Sequence, residues 1–423
     1  MTGAVEKLTA ESIALWHRGE DCFPSLGRRF TPAQQARKEA LLDRFLASLE
    51  GEIGNTLWTG KDRARVHARI SVAFAEFARS ALELEDCHVA LLLEGGFSSV
   101  GSSLGREARR FDPGVTTAEI LRACRNAWAA CGLQALFGLP MTVTPAIFAY
   151  SMLYPYSDNY LDDARIPREQ KLSFSARFRS WLSGENPPAA NDREETIRKL
   201  VSMIESVYAR SEYPEVYGSL LAIHRSQEES LRLLESDTRD DVLPLVFAKG
   251  GSSVLADAYL AAGRLTDAEA SFAFAWGVLL QLGDDLQDMR EDSANGLRTV
   301  FSSAVSEDTK STLDALTNRT FHFALQVMTR MDKLGRAPEA LKDLLRRSSI
   351  SLAVRAAGAL PEYYSTRYIA ELEAGSPFRF GFLTSRREKL ARHKRRLAAM
   401  FEAFLAGGED EPVFPLIPSS LLL

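Results

Sequence analysis

The chain has few cysteines. Cys22, Cys87, Cys124 and Cys131 are the only ones in 423 residues, and no two form a CxxC pair. That spacing excludes a disulfide framework and predicts a reduced, cytoplasmic chain with buried thiols. A strong excess of one charge is also missing, because 51 Lys plus Arg face 56 Asp plus Glu, for a net charge of −5. No global field draws such a chain to nucleic acid, so no nucleic-acid partner is expected, and an anionic ligand needs local cations. The most apolar stretch, residues 129–156, is interrupted by Gly132, Gly138, Pro140 and Pro145, so it reads as core and not as a membrane span. The opening segment has charges within its apolar residues and lacks a secretory h-region. No run alternates apolar and polar residues as a half-buried strand does. No repeat marks a solenoid.

What is present is helical periodicity, with 46% apolar residues to build a large core. Thr31 with Pro32 opens a helix. Apolar residues three and four apart then run from 61 to the stop at Gly95–Gly96, and a further helix spans Thr116 to Phe137. Thr144 caps a helix that begins at Pro145 and closes before Pro167. After a polar loop at 182–194, helices cover about 194–211 and 214–236, and "DTRDD" and "KGG" punctuate the next stretch. Thr266 and Glu269 form a capping box. The pattern continues as helices over 304–334, 337–372 and 384–406, the last strongly basic between Arg386 and Arg396. That basic run reads as a solvated face, or as a peripheral contact with an anionic membrane surface.

Two acidic clusters come after long apolar helices. The segment "LLQLGDDLQDMRED" brings Asp284, Asp285, Asp288, Glu291 and Asp292 into nine positions, with Arg290 the one local offset. Asp284, Asp288 and then Glu291 or Asp292 share a helix face, where like charges repel unless water or cations intervene. The segment "YPYSDNYLDDARIP" holds Asp158, Asn159, Asp162 and Asp163 at a similar distance from its cap. If the two helices pack side by side, the clusters meet at one mouth of a bundle. All these donors are oxygens, which suit a hard cation such as Mg²⁺. Several such ions would hold a diphosphate above an apolar wall, and the wall would take a hydrocarbon chain.

"GDDLQD" resembles the second aspartate-rich motif of polyprenyl diphosphate synthases, and "SDNYLDD" resembles a first motif of class I isoprenoid synthases. The likeness covers roughly residues 140–370. It implies an all-α, isoprenoid synthase-type helical bundle around a central apolar cavity. Residues 116–406 would be this catalytic bundle, 1–115 an N-terminal helical extension packed on it, and 407–423 an irregular tail. The resemblance implies more than one Mg²⁺ ion, with Asp158, Asp162, Asp163, Asp284, Asp285 and Asp288 as ligands. It also implies ionisation of an allylic prenyl diphosphate, then prenyl transfer or cyclisation, and a homodimer is compatible with it.

By the same resemblance, Arg239 in "DTRDD", 45 residues before Asp284, matches a diphosphate-sensing Arg of terpene cyclases. Lys249 is the rival, matching a Lys that polyprenyl synthases place at a helix break. Arg367 and Tyr368, starting 83 residues after Asp284, resemble the cyclases' C-terminal Arg–Tyr pair, and Arg298 stands where polyprenyl synthases often carry a Lys. Arg239, Arg367 and Tyr368 would be catalytic. The separated Arg165 and Arg168 replace the Arg–Arg pair of polyprenyl synthases, and the second motif is Asp-rich where cyclases use Asn/Ser/Glu, so coupling and cyclisation both stay open. His224, Gln227 and Ser230 read as a polar seam between helices. The alternative from another class is a non-catalytic helical protein that binds a lipid or a protein partner. A di-iron bundle needs two Glu-x-x-His motifs, and only Glu85-x-x-His88 is present.

Overall fold

The computed structural model describes residues 2–53, 59–162, 165–232, 242–305, 310–408 and 411. They are all-α, with no strand among the described residues. The helices are α1 (Thr2–His17), α2 (Pro32–Ile53), α3 (Gly60–Ser80), α4 (Asp86–Leu93), α5 (Phe97–Phe111), α6 (Thr117–Leu136), α7 (Pro145–Asp162), α8 (Arg168–Ser183) and α9 (Asp192–Val207). They continue with α10 (Pro214–Arg232), α11 (Val242–Ala262), α12 (Asp267–Ala294), α13 (Ser302–Val305), α14 (Lys310–Asp332), α15 (Glu339–Gly358), α16 (Thr366–Gly375), α17 (Phe380–Ala391) and α18 (Lys394–Leu405).

Side-chain caps set several starts. Thr116 accepts from the Glu119 amide while Glu119 accepts from the Thr116 amide at 2.8 Å, and Thr266 with Glu269 does the same for α12. Each such box satisfies amides that an uncapped helix leaves open, worth about 1 kcal/mol per cap. Where periodicity predicts one helix from 61 to 94, the structure has two. α3 ends at Ser80, and the chain turns through Glu83, at a positive φ of 55°, before α4 begins. The expected helix over 337–372 is likewise split at Pro361, which supplies no N–H, and α16 restarts on the Ser365 cap. The basic segment is two helices, α17 and α18. Its face is partly tied down: Arg386 bonds Asp43 at 2.5 and 2.7 Å, and Lys389 bonds Glu50 at 3.0 Å, holding α17 to α2.

α11 is the central helix, packed on by α1, α6, α7, α10 and α12, while α12 also packs against α14 and α15. One large apolar cluster runs through these helices and includes Trp16 of α1, whose ring lies edge-on to Phe247 of α11 and Phe323 of α14. A second cluster joins Leu42, Phe45, Phe74 and Phe77 to Leu344, Phe378 and Leu383. Both clusters therefore draw side chains from either side of residue 115. The tail beyond 406 lies outside the described residues apart from Gly407, Gly408 and Glu411. Glu411 pairs with Arg63 of α3. No helix among the described residues is long and apolar enough to cross a membrane.

An ion pair between half-buried Arg177 and buried Glu194 joins α8 to α9. Arg177 donates from Nε and Nη2 to Glu194 at 2.7 and 2.6 Å, and the Ala190 amide adds a third bond at 3.0 Å. Burial alone would raise the Glu194 carboxyl, but these bonds outweigh it and hold it below the usual Glu range. A carboxyl depressed on folding stabilises above its unfolded pKa, about 4.3, and loses that contribution as pH falls through the folded value. The melting temperature of Glu194→Gln should therefore lie below wild type near pH 7, and the gap should close as pH drops below about 4. A gap that stays constant down to about pH 3 would contradict the pairing.

Candidate active site

The patch is built on the last turns of α12. Asp284, Asp288 and Asp292 lie in succession along a single helix face, with Asp285 beside them and turned into the protein. Asp285 is only 5% exposed. Its Oδ1 accepts from Gln281 Nε2 at 2.7 Å, while Oδ2 is buried with no hydrogen-bond partner. An orphaned buried carboxylate oxygen costs about 1–3 kcal/mol, more if charged, unless something else meets it.

The electrostatics show the strain of crowding. Burial pushes the Asp285 carboxyl up to about 7, with Asp284 and Asp292 adding to the rise and the Gln281 bond and Lys249 opposing it. Asp292 is pushed up to about 6 by burial and by Asp288, Asp284 and Glu291, against Lys249. Asp284 is raised by burial and then by Asp288, while Arg125 and Lys249 lower it. Yet Asp284 is exposed to solvent. An oxygen-only donor set fits a hard divalent cation, which would relieve both the mutual repulsion and the unpartnered buried oxygen.

Three sets of contacts fix how the helices run toward this patch. α11 and α12 cross antiparallel after a short turn, with Gly250 against both Gly277 and Gln281. α6 and α7 are antiparallel too: Asn126 donates to Ser151, and Gln134 accepts from the Thr142 amide. α6 runs with α11, because Gly138, just past α6, packs against Arg336, just past α14, and Arg330 of α14 donates to Ser271 near the start of α12, where α11 has just ended. So α7 and α12 point the same way. The last turns of α7, which carry Asp158 and Asp162, end on the side of the bundle where the α12 carboxylates lie.

The side chains of Asp158, Asn159 and Asp162, and all of Asp163 and Arg239, lie outside the described residues. The structure does bring Asp284, Asp285 and Asp288 together with half-buried Lys249. Lys249 does not sit at a helix break. "KGG" lies inside α11, and its glycines serve the crossing: a Cβ at Gly250 would lie 2.4 Å from Gln281 Cβ and 2.8 Å from the Gly277 carbonyl oxygen. Arg367 is exposed beside Glu371, and the buried Tyr368 donates to Asn318 Oδ1 at 2.8 Å. Among the described residues, no hydrogen bond or ion pair ties either to the α12 carboxylates. Arg298 is half-buried just past α12. Arg290 does not offset its acidic neighbours, because it pairs with Glu362 and lies over the Tyr363 ring.

Sequence reasoning missed Arg125, which is 159 positions from Asp284 and carries no local signal. It also missed the seam below the patch, where Asn126 donates to Asp257 at 2.9 Å and to Ser151 at 3.3 Å. Burial keeps the Asp257 carboxyl well above its usual range. His224 does belong to a polar seam, shared with Ser175 and Glu228 between α8 and α10. Two recesses lie among the described residues, and neither is lined by the α12 carboxylates. One, of about 480 Å³, includes Ser103, Arg106, Pro145, Phe148 and Met203 at the opposite end of α7. The other, of about 360 Å³, lies between α3 and α4.

Compared with protein-family models, curated proteins and solved structures, the chain matches none.

Proposed function

We propose that this chain is a Mg²⁺-dependent class I isoprenoid synthase that ionises an allylic prenyl diphosphate, with prenyl transfer or cyclisation as the next step. One observation carries the reading. α12 lifts four carboxylates, flanked by Lys249 and Arg125, to the end of the bundle that the acidic end of α7 also reaches. In this reading Asp284, Asp285 and Asp288, with Asp158 and Asp162, hold the metal ions. Bound Mg²⁺ supplies positive charge to the departing diphosphate. Lys249 and Arg125 then bind phosphate oxygens that the carboxylates alone would repel. Gln281 holds Asp285 in place through its bond to Oδ1, leaving Oδ2 as the free donor. No side chain is required as a nucleophile, since the substrate supplies its own cation and loses diphosphate.

The test is calorimetric titration with inorganic diphosphate. Binding is expected with Mg²⁺ and absent without it, and Lys249→Ala should weaken it by at least about tenfold. Metal-independent binding, or none in either condition, would count against the reading.

A second reading has an observation in its favour. Two recesses lie away from the carboxylates, and α11 meets α12 at glycine contact distance. A non-catalytic helical protein that binds a lipid or a partner fits that packing. It would bind diphosphate without ever turning over a prenyl ester.

A further inference from the structure

A second cluster of metal-ligating side chains lies away from the acidic patch, where the connection between α1 and α2 meets α14. Glu20 and Cys22 come from that connection and His322 from α14, and one ligand atom from each lies within 4.8 Å of the others. The Cys22 Sγ is 2.9 Å from Glu20 Oε2 and 4.0 Å from His322 Nε2. Glu20 and Cys22 are exposed and His322 is half-buried, so an ion can reach all three.

The surrounding bonds hold the two segments in register, and one of them, from His322 Nε2 to the Cys22 carbonyl, must give way before Nε2 can ligate an ion. Asn318 donates to the Asp21 carbonyl at 2.6 Å, and Arg319 grips the Asp21 carboxylate at 2.5 and 3.2 Å. His322 Nε2 lies 3.0 Å from the Cys22 carbonyl oxygen. Asn318, Arg319 and His322 fall on one face of α14, so a single helix surface fixes the backbone on both sides of the Cys22 thiol. Such supporting bonds are what orient ligands at metal centres.

A similar trio, Glu85, Cys87 and His88, makes a useful contrast. There both imidazole nitrogens are engaged: Nδ1 accepts from the Glu85 amide at 3.1 Å, and Nε2 lies 3.1 Å from Asp343. All three residues also come from one short segment. The trio at His322 joins two distant parts of the chain, and its imidazole is half-buried where that of His88 is buried.

We propose that Glu20, Cys22 and His322 form a three-ligand site for a borderline divalent ion of the Zn²⁺ class, stapling the α1–α2 connection to α14. Thiolate, imidazole and carboxylate together select Zn²⁺ over Mg²⁺, which takes oxygen donors. Tetrahedral Zn²⁺ with bonds of about 2.0–2.3 Å places its ligand atoms roughly 3.5 Å apart. The observed spacings of 2.9 and 4.0 Å need adjustments of about half an ångström, which exposed side chains can make. On binding, the thiol proton leaves to solvent, and the imidazole takes the tautomer with its proton on Nδ1, so that the Nε2 lone pair faces the ion. Three protein ligands leave a fourth position for water or an added ligand.

Co²⁺ titration of the full chain, monitored by absorbance, tests this without reference to the acidic patch. One equivalent should produce tetrahedral cobalt bands with a thiolate-to-metal charge-transfer band. Zn²⁺ should bleach them, and a large excess of Mg²⁺ should not. Cys22→Ser should abolish the charge-transfer band and Cys87→Ser should keep it. His322→Gln should weaken binding by at least about tenfold. Circular dichroism establishes that each variant is folded. No thiolate band in the wild type, or a band that survives Cys22→Ser, would overturn the assignment.

Discussion

Asp284→Ala should cost at least about a hundredfold in turnover of a prenyl diphosphate, yet leave the protein as stable as wild type or slightly more so. On the proposed function, the loss would arise from removing a carboxylate that holds positive charge at the leaving group, an electrostatic contribution typically worth about 3–4 kcal/mol. The unchanged stability arises from the metal-free structure. Asp284 is exposed, accepts no hydrogen bond among the described residues, and is raised in pKa by burial and by Asp288 one turn away. Deleting one of two like charges at that spacing relieves a few tenths of a kcal/mol. A merely structural residue would behave in the opposite way, losing stability along with any activity. Steady-state assay and chemical denaturation of the same preparation separate the two. Unchanged turnover, or a stability loss of several kcal/mol, would remove Asp284 from the site.

The second large effect lies in the helix crossing beneath the patch. Gly277→Val is expected to lower stability by at least about 1–3 kcal/mol and to reduce activity with it. A Cβ at position 277 would stand 2.3 Å from the Gly250 carbonyl oxygen and 3.0 Å from Val254 Cβ. The nearer obstacle is backbone, so α11 and α12 must separate for the side chain to fit. That separation carries Asp285 away from Lys249, which lies next to Gly250. Gly51→Ala is the control. Its added Cβ meets nothing within 4 Å, and alanine in a helix is favoured over glycine by about 1 kcal/mol. Denaturation midpoints should move in opposite directions for the two glycines. A Gly277→Val protein as stable as wild type would mean that the crossing is looser than described.

The same pair of helices shows what could be read from residues alone. Thr116 with Glu119, Thr266 with Glu269, and Thr144 before Pro145 announce helix starts by local chemistry, and the structure starts α6, α12 and α7 there. The acidic face was legible because Asp284, Asp288 and Asp292 repeat at helical spacing. "KGG" was misread because glycine looks the same at a helix break and at a close crossing, and only the partner helix decides between them. Arg290 looked like local compensation for the acidic run, yet it turns to Glu362, 72 positions on. Arg125 was invisible because its relation to Asp284 exists only after α6 is laid along α11. The turn at Glu83 was equally hidden, since nothing in its sequence demands a positive φ.

The central claim is that the α12 carboxylates serve diphosphate departure from an allylic prenyl chain. Pyrophosphate release from geranyl, farnesyl and geranylgeranyl diphosphates, assayed in Mg²⁺ and in chelator, measures it directly. Release is predicted from at least one of them in Mg²⁺, and from none in chelator. No release from any of the three with Mg²⁺ present would contradict the claim.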